Sequence, residues 1–242
     1  MELEGKVALI TGASRGLGYE VAALLGERGA RLVITARDGE ALERAAEQLR
    51  GHTEVLAVAG DVSEDAERIV RSGIDKFGRI DILINNASEL GPSPMPALDA
   101  LPWQAMERIL RVNVTAPLHL TQLVLPGMHA RSAGVIVNIT SDAGVNAYPG
   151  WGGYGASKAA LEHLSRILTA ELEGSGLRVL IVDPGDMNTH MHRDAEPGAD
   201  LSGLAHPSSV APAIVGLVEG DAPSGRYEAQ KLGAALAGAA RP

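Results

Sequence analysis

"KVALITGASRGLG", residues 6 to 18, joins a run of aliphatic and β-branched residues directly to a turn with glycines at 12, 16 and 18. The run, 6 to 11, does not alternate apolar with polar residues, so it reads as a strand covered on both faces. Five further runs read the same way: "RLVIT" (31 to 35), "EVLAV" (54 to 58), "DILIN" (81 to 85), "GVIVNIT" (134 to 140) and "RVLIVD" (178 to 183). The segments 17 to 29, 39 to 50, 64 to 77, 103 to 129 and 155 to 173 carry helical spacing. Strand, helix, strand repeated in this way predicts a doubly wound parallel sheet with right-handed crossovers and helices on both sides, an α/β fold of three layers (α/β/α). At 242 residues without a linker, the chain reads as a single domain, 1 to 242.

The turn after the first strand has the physics of a phosphate site. Gly12 can supply an unusual turn conformation, Gly16 lets backbone approach a phosphate, and Gly18 permits close helix packing, while a helix N-terminus attracts negative charge. The spacing is neither G-x-G-x-x-G nor the Gly-Lys-Ser/Thr ending of a triphosphate loop, and a tight strand-to-helix connection is the plainer alternative. Arg15 lies in the turn, and Arg37 stands just past the second strand in "VITARD". Dinucleotide folds that take NAD usually carry a carboxylate there for the adenosine ribose. Two arginines suit a 2′-phosphate instead, so NADP(H) is expected over NAD(H). The alternative is a solvated Arg37 with Asp38 as the ribose ligand.

Composition excludes several other classes. The chain is 45% hydrophobic and 21% charged, as expected of a globular protein, and its formal charge of −9 repels phosphate backbones. Nucleic acid is not an expected partner. No apolar run approaches the length of a membrane span, and "MELEGKVALI" lacks the basic start and long apolar centre of a secretory signal, so a cytoplasmic protein without membrane contact is expected. There is no cysteine, the seven histidines are scattered, and no bound metal is expected. Ser63 is placed to cap the helix that follows, "PSPMP" (92 to 96) reads as a loop, and 185 to 210 lacks periodicity and reads as a flap over a substrate. The tail 233 to 242, small residues with glycine, is expected to be disordered.

"YGASK" (154 to 158) sets Tyr154 one helical turn before Lys158. Residues four apart share a helix face, so an ammonium can act electrostatically on a phenol; an amphipathic surface helix is the bland reading. The surrounding pattern decides between them. "TGASRGLG", "GDV" (60 to 62), "NNAS" (85 to 88), "VNV" (112 to 114), "NITS" (138 to 141), "YGASK" and "PGDMNT" (184 to 189) occur in the order and at the spacing found in short-chain dehydrogenases/reductases, which this chain resembles over nearly its whole length.

That resemblance implies a Rossmann-like fold and an oxidoreductase that interconverts a ketone or aldehyde and an alcohol by hydride transfer with NADP(H). It implies a catalytic set of Asn113, Ser141, Tyr154 and Lys158. Tyr154 would be the general acid/base. A free phenol has a pKa of about 10, and the Lys158 ammonium, joined by an oxidised nicotinamide in the dehydrogenation direction, is expected to lower it. Lys158 would also hold the nicotinamide ribose. Ser141 would bind the substrate oxygen, with strand alternation setting it apart from Thr140, and Asn113 would hold a water that relays protons to Lys158. Cofactor contacts are implied for Gly12, Ser14, Arg15, Gly16, Leu17, Gly18, Arg37, Asp61, Val62, Asn86, Ala87, Tyr154, Lys158, Pro184, Gly185, Met187 and Thr189. Ser88 departs from the family, which usually has glycine there, and puts the shape of that pocket edge in question.

The substrate side is expected between 88 to 96, 142 to 151 and 186 to 206, with Tyr148 and Trp151 as an apolar wall and Asp142, Asp186, His190 and His192 as polar contacts. A small carbonyl or alcohol compound is the expected substrate, and a homodimer or homotetramer the expected assembly. The competing reading is a catalytically silent dinucleotide-binding sensor or scaffold; a lyase or epimerase would need a larger C-terminal substrate region.

Overall fold

In the computed structural model, which describes residues 1–232, the first strand β1 (Val7–Thr11) leads into α1 (Gly16–Glu27). The same step repeats through β2 (Arg31–Ala36), α2 (Gly39–Leu49), β3 (Val55–Ala59), α3 (Ala66–Phe77) and β4 (Ile82–Asn85). After it come α4 (Trp103–Leu110), a π-turn (Arg111–Thr115), α5 (Ala116–Arg131), β5 (Gly134–Ile139), α6 (Gly152–Glu171), β6 (Leu177–Asp183), α7 (His190–Ala195), α8 (Pro207–Glu219) and β7 (Gly225–Glu228). All seven strands are parallel, in the order β3-β2-β1-β4-β5-β6-β7. The expected tail at 233 to 242 lies outside the described residues.

The continuous apolar strands have the expected cause. On β1, Ala8 and Ile10 pack into one core with Val21 and Leu25 of α1 and Ile214 and Val218 of α8, while Val7 and Leu9 pack into a second with Ile69 of α3 and Leu120 and Val124 of α5. Both faces of the sheet are covered, so no position on these strands needs a polar residue.

Local expectations differ from the structure in four places. Helix α8 is absent from the periodicity reading because "PSSVAPAIVGLVE" has almost no polar face: eight of its residues are buried. Pro207 sits in its first turn, where a missing N–H costs nothing. The expected long helix 103 to 129 is interrupted by the π-turn, whose middle residue is Asn113. Ser63 does not cap α3: its hydroxyl and its N–H both donate to the Asp61 carboxylate, and the capping position falls on Asp65. Within 185 to 210, α7 forms, and the two ends of the segment are tied by the Met187 and Ala205 bridge with Asn188 N–H donating to Ala205 O at 2.9 Å.

Thr11 ends β1 at the point where the two halves of the sheet part. Its buried hydroxyl accepts from the N–H groups of Asn86 (3.0 Å) and Ala87 (2.9 Å) and donates to Ile84 O (3.2 Å). The Asn86 amide returns the contact, donating to Thr11 O at 2.8 Å. One side chain thereby holds the turn after β4 against the turn after β1. Thr11→Val keeps the shape and orphans two N–H donors, so unfolding in denaturant should show a loss of about 2 kcal/mol.

Candidate active site

A cleft of about 700 Å³ runs along the C-terminal ends of the strands. One part is built from the turn after β1. Gly12 takes φ +67°, and a Cβ on Gly18 would lie 2.5 Å from Gly12 O, so the turn folds tightly onto the start of α1. Gly12, Ser14, Arg15, Gly16 and Leu17 line the cleft, with Gly18 packed behind them. The first turn of α1 carries no acidic residue, leaving its N-terminal field free to attract an anion.

At the end of β2, Ala36, Arg37 and Asp38 line the same cleft, together with Asp61, Val62, Asn86 and Ala87. The Arg37 guanidinium pairs with Glu89 at 3.1 Å. Asp38 caps α2, accepting from Ala41 N–H at 3.0 Å, which commits one of its oxygens. Asp61 accepts from Ser63 and from Arg108 (2.7 Å). Burial alone would raise its carboxyl, but the Ser63 and Arg108 bonds outweigh it and hold the group below the usual carboxylate range. Glu89 and Arg108 escape sequence reasoning. Glu89 directly follows "NNAS", a position that could have flagged it, whereas nothing near Arg108 in the chain points to the cleft.

At the other end Tyr154 and Lys158 line the cleft with Pro184, Met187 and Thr189. They lie on the first turns of α6, and Gly155 between them has a reason to be glycine: a Cβ there would lie 2.7 Å from Ala143 O. That close approach brings the short 3₁₀ turn Asp142–Gly144, and Ser141 before it, against Tyr154. Ser141 and Tyr154 then line a smaller pocket of about 90 Å³ with Leu90, Trp151, Met187 and Met191. Thr140 is not the competitor it was in the sequence, since its hydroxyl is committed to Glu162 at 2.9 Å. Trp151 meets Tyr154 edge to face, with centroids 5.8 Å apart. Tyr148 is largely exposed and donates to Asp142 at 2.6 Å, outside the small pocket; Asp186 and His192 line that pocket and His190 the larger cleft. Gly185 lines only the small pocket.

In the protein alone, burial governs how the pair titrates. Burial pushes the Tyr154 phenol above its ordinary value, and the Asp183 charge adds to this, against the pull of hydrogen bonds from Ser88 and Ser141. Lys158 does not reverse the shift. Its ammonium, 5.3 Å from the Tyr154 ring centroid, donates to Ile139 O at 2.9 Å, and burial pushes its pKa down to about 8.

Asn113, buried in the π-turn, uses its whole side chain on protein. Its amide donates to Glu89 O and Ser157 Oγ (both 2.9 Å), and its oxygen accepts from Glu89 N–H (2.7 Å) and Ser88 Oγ (3.1 Å). The expected water therefore finds no free valence on this side chain, which instead clamps residues 88 and 89 to α6. Ser88 sits there without a positive φ, so it carries no glycine-like strain.

A lysine that is easier to deprotonate when folded than when unfolded costs stability in its charged form, and stability recovers with rising pH wherever the unfolded chain holds more protons. For Lys158 that penalty is complete below pH 8 and fades as pH rises to the ordinary lysine value. Lys158→Met should therefore raise stability at pH 7 by on the order of 2 kcal/mol, with the gain vanishing above about pH 10, as read by denaturant unfolding at several pH values.

Residues 6–200 match the family model for short chain dehydrogenase. An uncharacterized oxidoreductase of Listeria monocytogenes is 35% identical over 196 residues, covering 79% of this chain and 78% of its own. A short chain dehydrogenase of Shigella flexneri solved with NADP superposes with a TM-score of 0.86 at 28% identity, covering 95% and 98% of the two chains. An NAD⁺-bound xylitol dehydrogenase does so with 0.84 at 25%, covering 94% and 98%. With its seven-stranded parallel sheet and the ordered motifs along its cleft, this chain belongs to the short chain dehydrogenase family.

Proposed function

We propose that the protein is an NADP(H)-dependent oxidoreductase that interconverts a small ketone or aldehyde and the corresponding alcohol, with Tyr154 as general acid/base. The observation that carries this reading is the convergence of Tyr154, Lys158 and Ser141 where the large cleft meets the small pocket. The cleft suits a dinucleotide: a glycine turn with open backbone, Arg15 and a helix N-terminus stand at one part, Arg37 at the end of β2, and buried polar groups at the far end. When bound, nicotinamide supplies or accepts the hydride, and in its oxidised form it adds a positive charge beside the phenol.

The chain's own residues do the rest. In reduction the Tyr154 hydroxyl gives its proton to the substrate oxygen while Ser141 donates a hydrogen bond to the same atom, stabilising the charge that develops there. In oxidation the proton returns to Tyr154. Lys158, held by Ile139 O, lies close enough to its ring to favour the phenolate once a second positive charge arrives. Leu90, Trp151, Met187 and Met191 exclude water from the reacting atoms and select a small apolar substituent. Arg15 and Arg37 supply cations for a 2′-phosphate, and the Shigella protein with bound NADP supports that preference. Leu118 on α5 and Ile167 on α6, both part-exposed, suit association into a homodimer or homotetramer. The silent-scaffold alternative would be favoured by loss of a catalytic residue type, and Asn113, Ser141, Tyr154 and Lys158 are all present in the sequence.

A panel of small ketones, aldehydes and secondary alcohols, followed by nicotinamide absorbance with both cofactors, tests the reading. Turnover is expected with NADPH or NADP⁺; no turnover of any member with either cofactor contradicts it. Tyr154→Phe should lower kcat about 10³-fold while leaving NADPH affinity within about twofold. Arg37→Asp should raise the KM for NADPH about tenfold or more relative to that for NADH, and an unchanged ratio places the phosphate elsewhere.

A further inference from the structure

The match to the family model ends at residue 200, yet β7, beyond it, contacts residues that support the site. Arg226 on β7 forks between two carboxylates: its Nε donates to Glu162 Oε1 at 3.0 Å and a terminal nitrogen to Asp183 Oδ2 at 2.9 Å. Both acids are buried, at 3% and 5% exposure. Each passes the contact on to the chemical end of the cleft. Glu162, one turn past Lys158 on α6, accepts the Thr140 hydroxyl at 2.9 Å, and Thr140 immediately precedes Ser141. Asp183, the last residue of β6, accepts the Gly185 N–H at 2.9 Å, fixing the turn whose Pro184 borders both the large cleft and the small pocket. Gln230, just past β7, adds a second tie by donating to Asp186 O at 2.8 Å.

The remaining charges nearby are peripheral. Arg166 reaches the other Glu162 oxygen at 3.1 Å from a largely exposed position, and Glu228 lies 3.7 Å from Arg226 at the rim. Burial alone would lower the guanidinium's pKa, but its bonds to Glu162 and Asp183 reverse the shift, so it stays charged. A planar fork suits two carboxylates held at fixed positions, where a lysine could satisfy only one.

We propose that Arg226 is a positioning residue for the nicotinamide end of the cleft, holding the Pro184–Gly185 turn through Asp183 and the Thr140–Ser141 strand end through Glu162. This rests on the cofactor reading above. Its signature is selective: the adenosine end, built from β1, β2 and residues 61, 62, 86 and 87, has no contact with Arg226, so disturbing the fork changes one half of the cleft.

The test compares Kd values of NADPH, which spans both ends, and of 2′,5′-ADP, which fills only the adenosine end, by fluorescence titration of the full chain. Arg226→Met should weaken NADPH about tenfold and 2′,5′-ADP by less than about twofold. Arg226→Lys keeps the charge and loses the fork. It should show the same selectivity at a smaller size, about threefold on NADPH, and it decides the matter if the Met variant does not fold. Equal weakening of both ligands, or unchanged NADPH affinity, overturns the proposal. Failure of the cofactor reading looks different: the unsubstituted protein would then bind neither NADPH nor 2′,5′-ADP.

Discussion

The reversal of strand order between β1 and β4 is the constraint on which the rest of the structure depends. The chain winds outward through β2 and β3, returns to β4 beside β1, and then winds the other way through β5, β6 and β7. Loops leaving β1 and β4 must therefore diverge, and a crevice opens at their C-terminal ends. Thr11 and Asn86 close the floor of that crevice with four hydrogen bonds between the two halves. Glycine at 12 and 18 lets the first turn fold tightly above it.

The far end of the crevice sets two opposed demands. The proposed reaction needs a phenol and an amine in reach of their charged forms, whereas burial favours the neutral form of each, raising Tyr154 and lowering Lys158. The protein answers with hydrogen bonds, Ile139 O on the amine and a saturated Asn113 that fixes residues 88 and 89, while the nearby Ser88 and Ser141 hydroxyls pull the phenol back down. A partly satisfied network in so dry a place would be expensive, which is why its members are so fully committed to one another. Behind it, the Arg226 guanidinium bridges two buried carboxylates, and of the two only Glu162 has a second cation, Arg166, so losing Arg226 costs more than the contacts alone suggest.

Much of this was legible along the chain, for a physical reason. Strands buried on both faces write themselves as unbroken aliphatic runs, and six of the seven described strands are visible that way; β7, "GRYE", is short and half-exposed and carries no such run. Turn glycines and the Tyr154 to Lys158 spacing are local features that survive in one dimension. What escaped was either two-sided or long-range. Helix α8 exposes a face of Ser208, Ser209, Pro212 and Gly216, with no charged residue to mark the period, and the π-turn at Asn113 adds one residue to a helix without a sequence mark. The ion pairs of Arg37 with Glu89, Arg108 with Asp61, and Arg226 with Glu162 and Asp183 join residues more than forty positions apart, so no local pattern announces them. The upward shift of the phenol in the protein alone was hidden for the same reason, since burial and Asp183 are properties of the folded site.

The most direct measurement is a crystal structure of the protein grown with NADPH. The account predicts the pyrophosphate against the backbone of residues 14 to 17 at the start of α1, the 2′-phosphate at Arg15 and Arg37, and the nicotinamide C4 facing the small pocket between Tyr154 and Ser141. A dinucleotide lying in the reverse direction, or one whose nicotinamide points to solvent away from Tyr154, would contradict it.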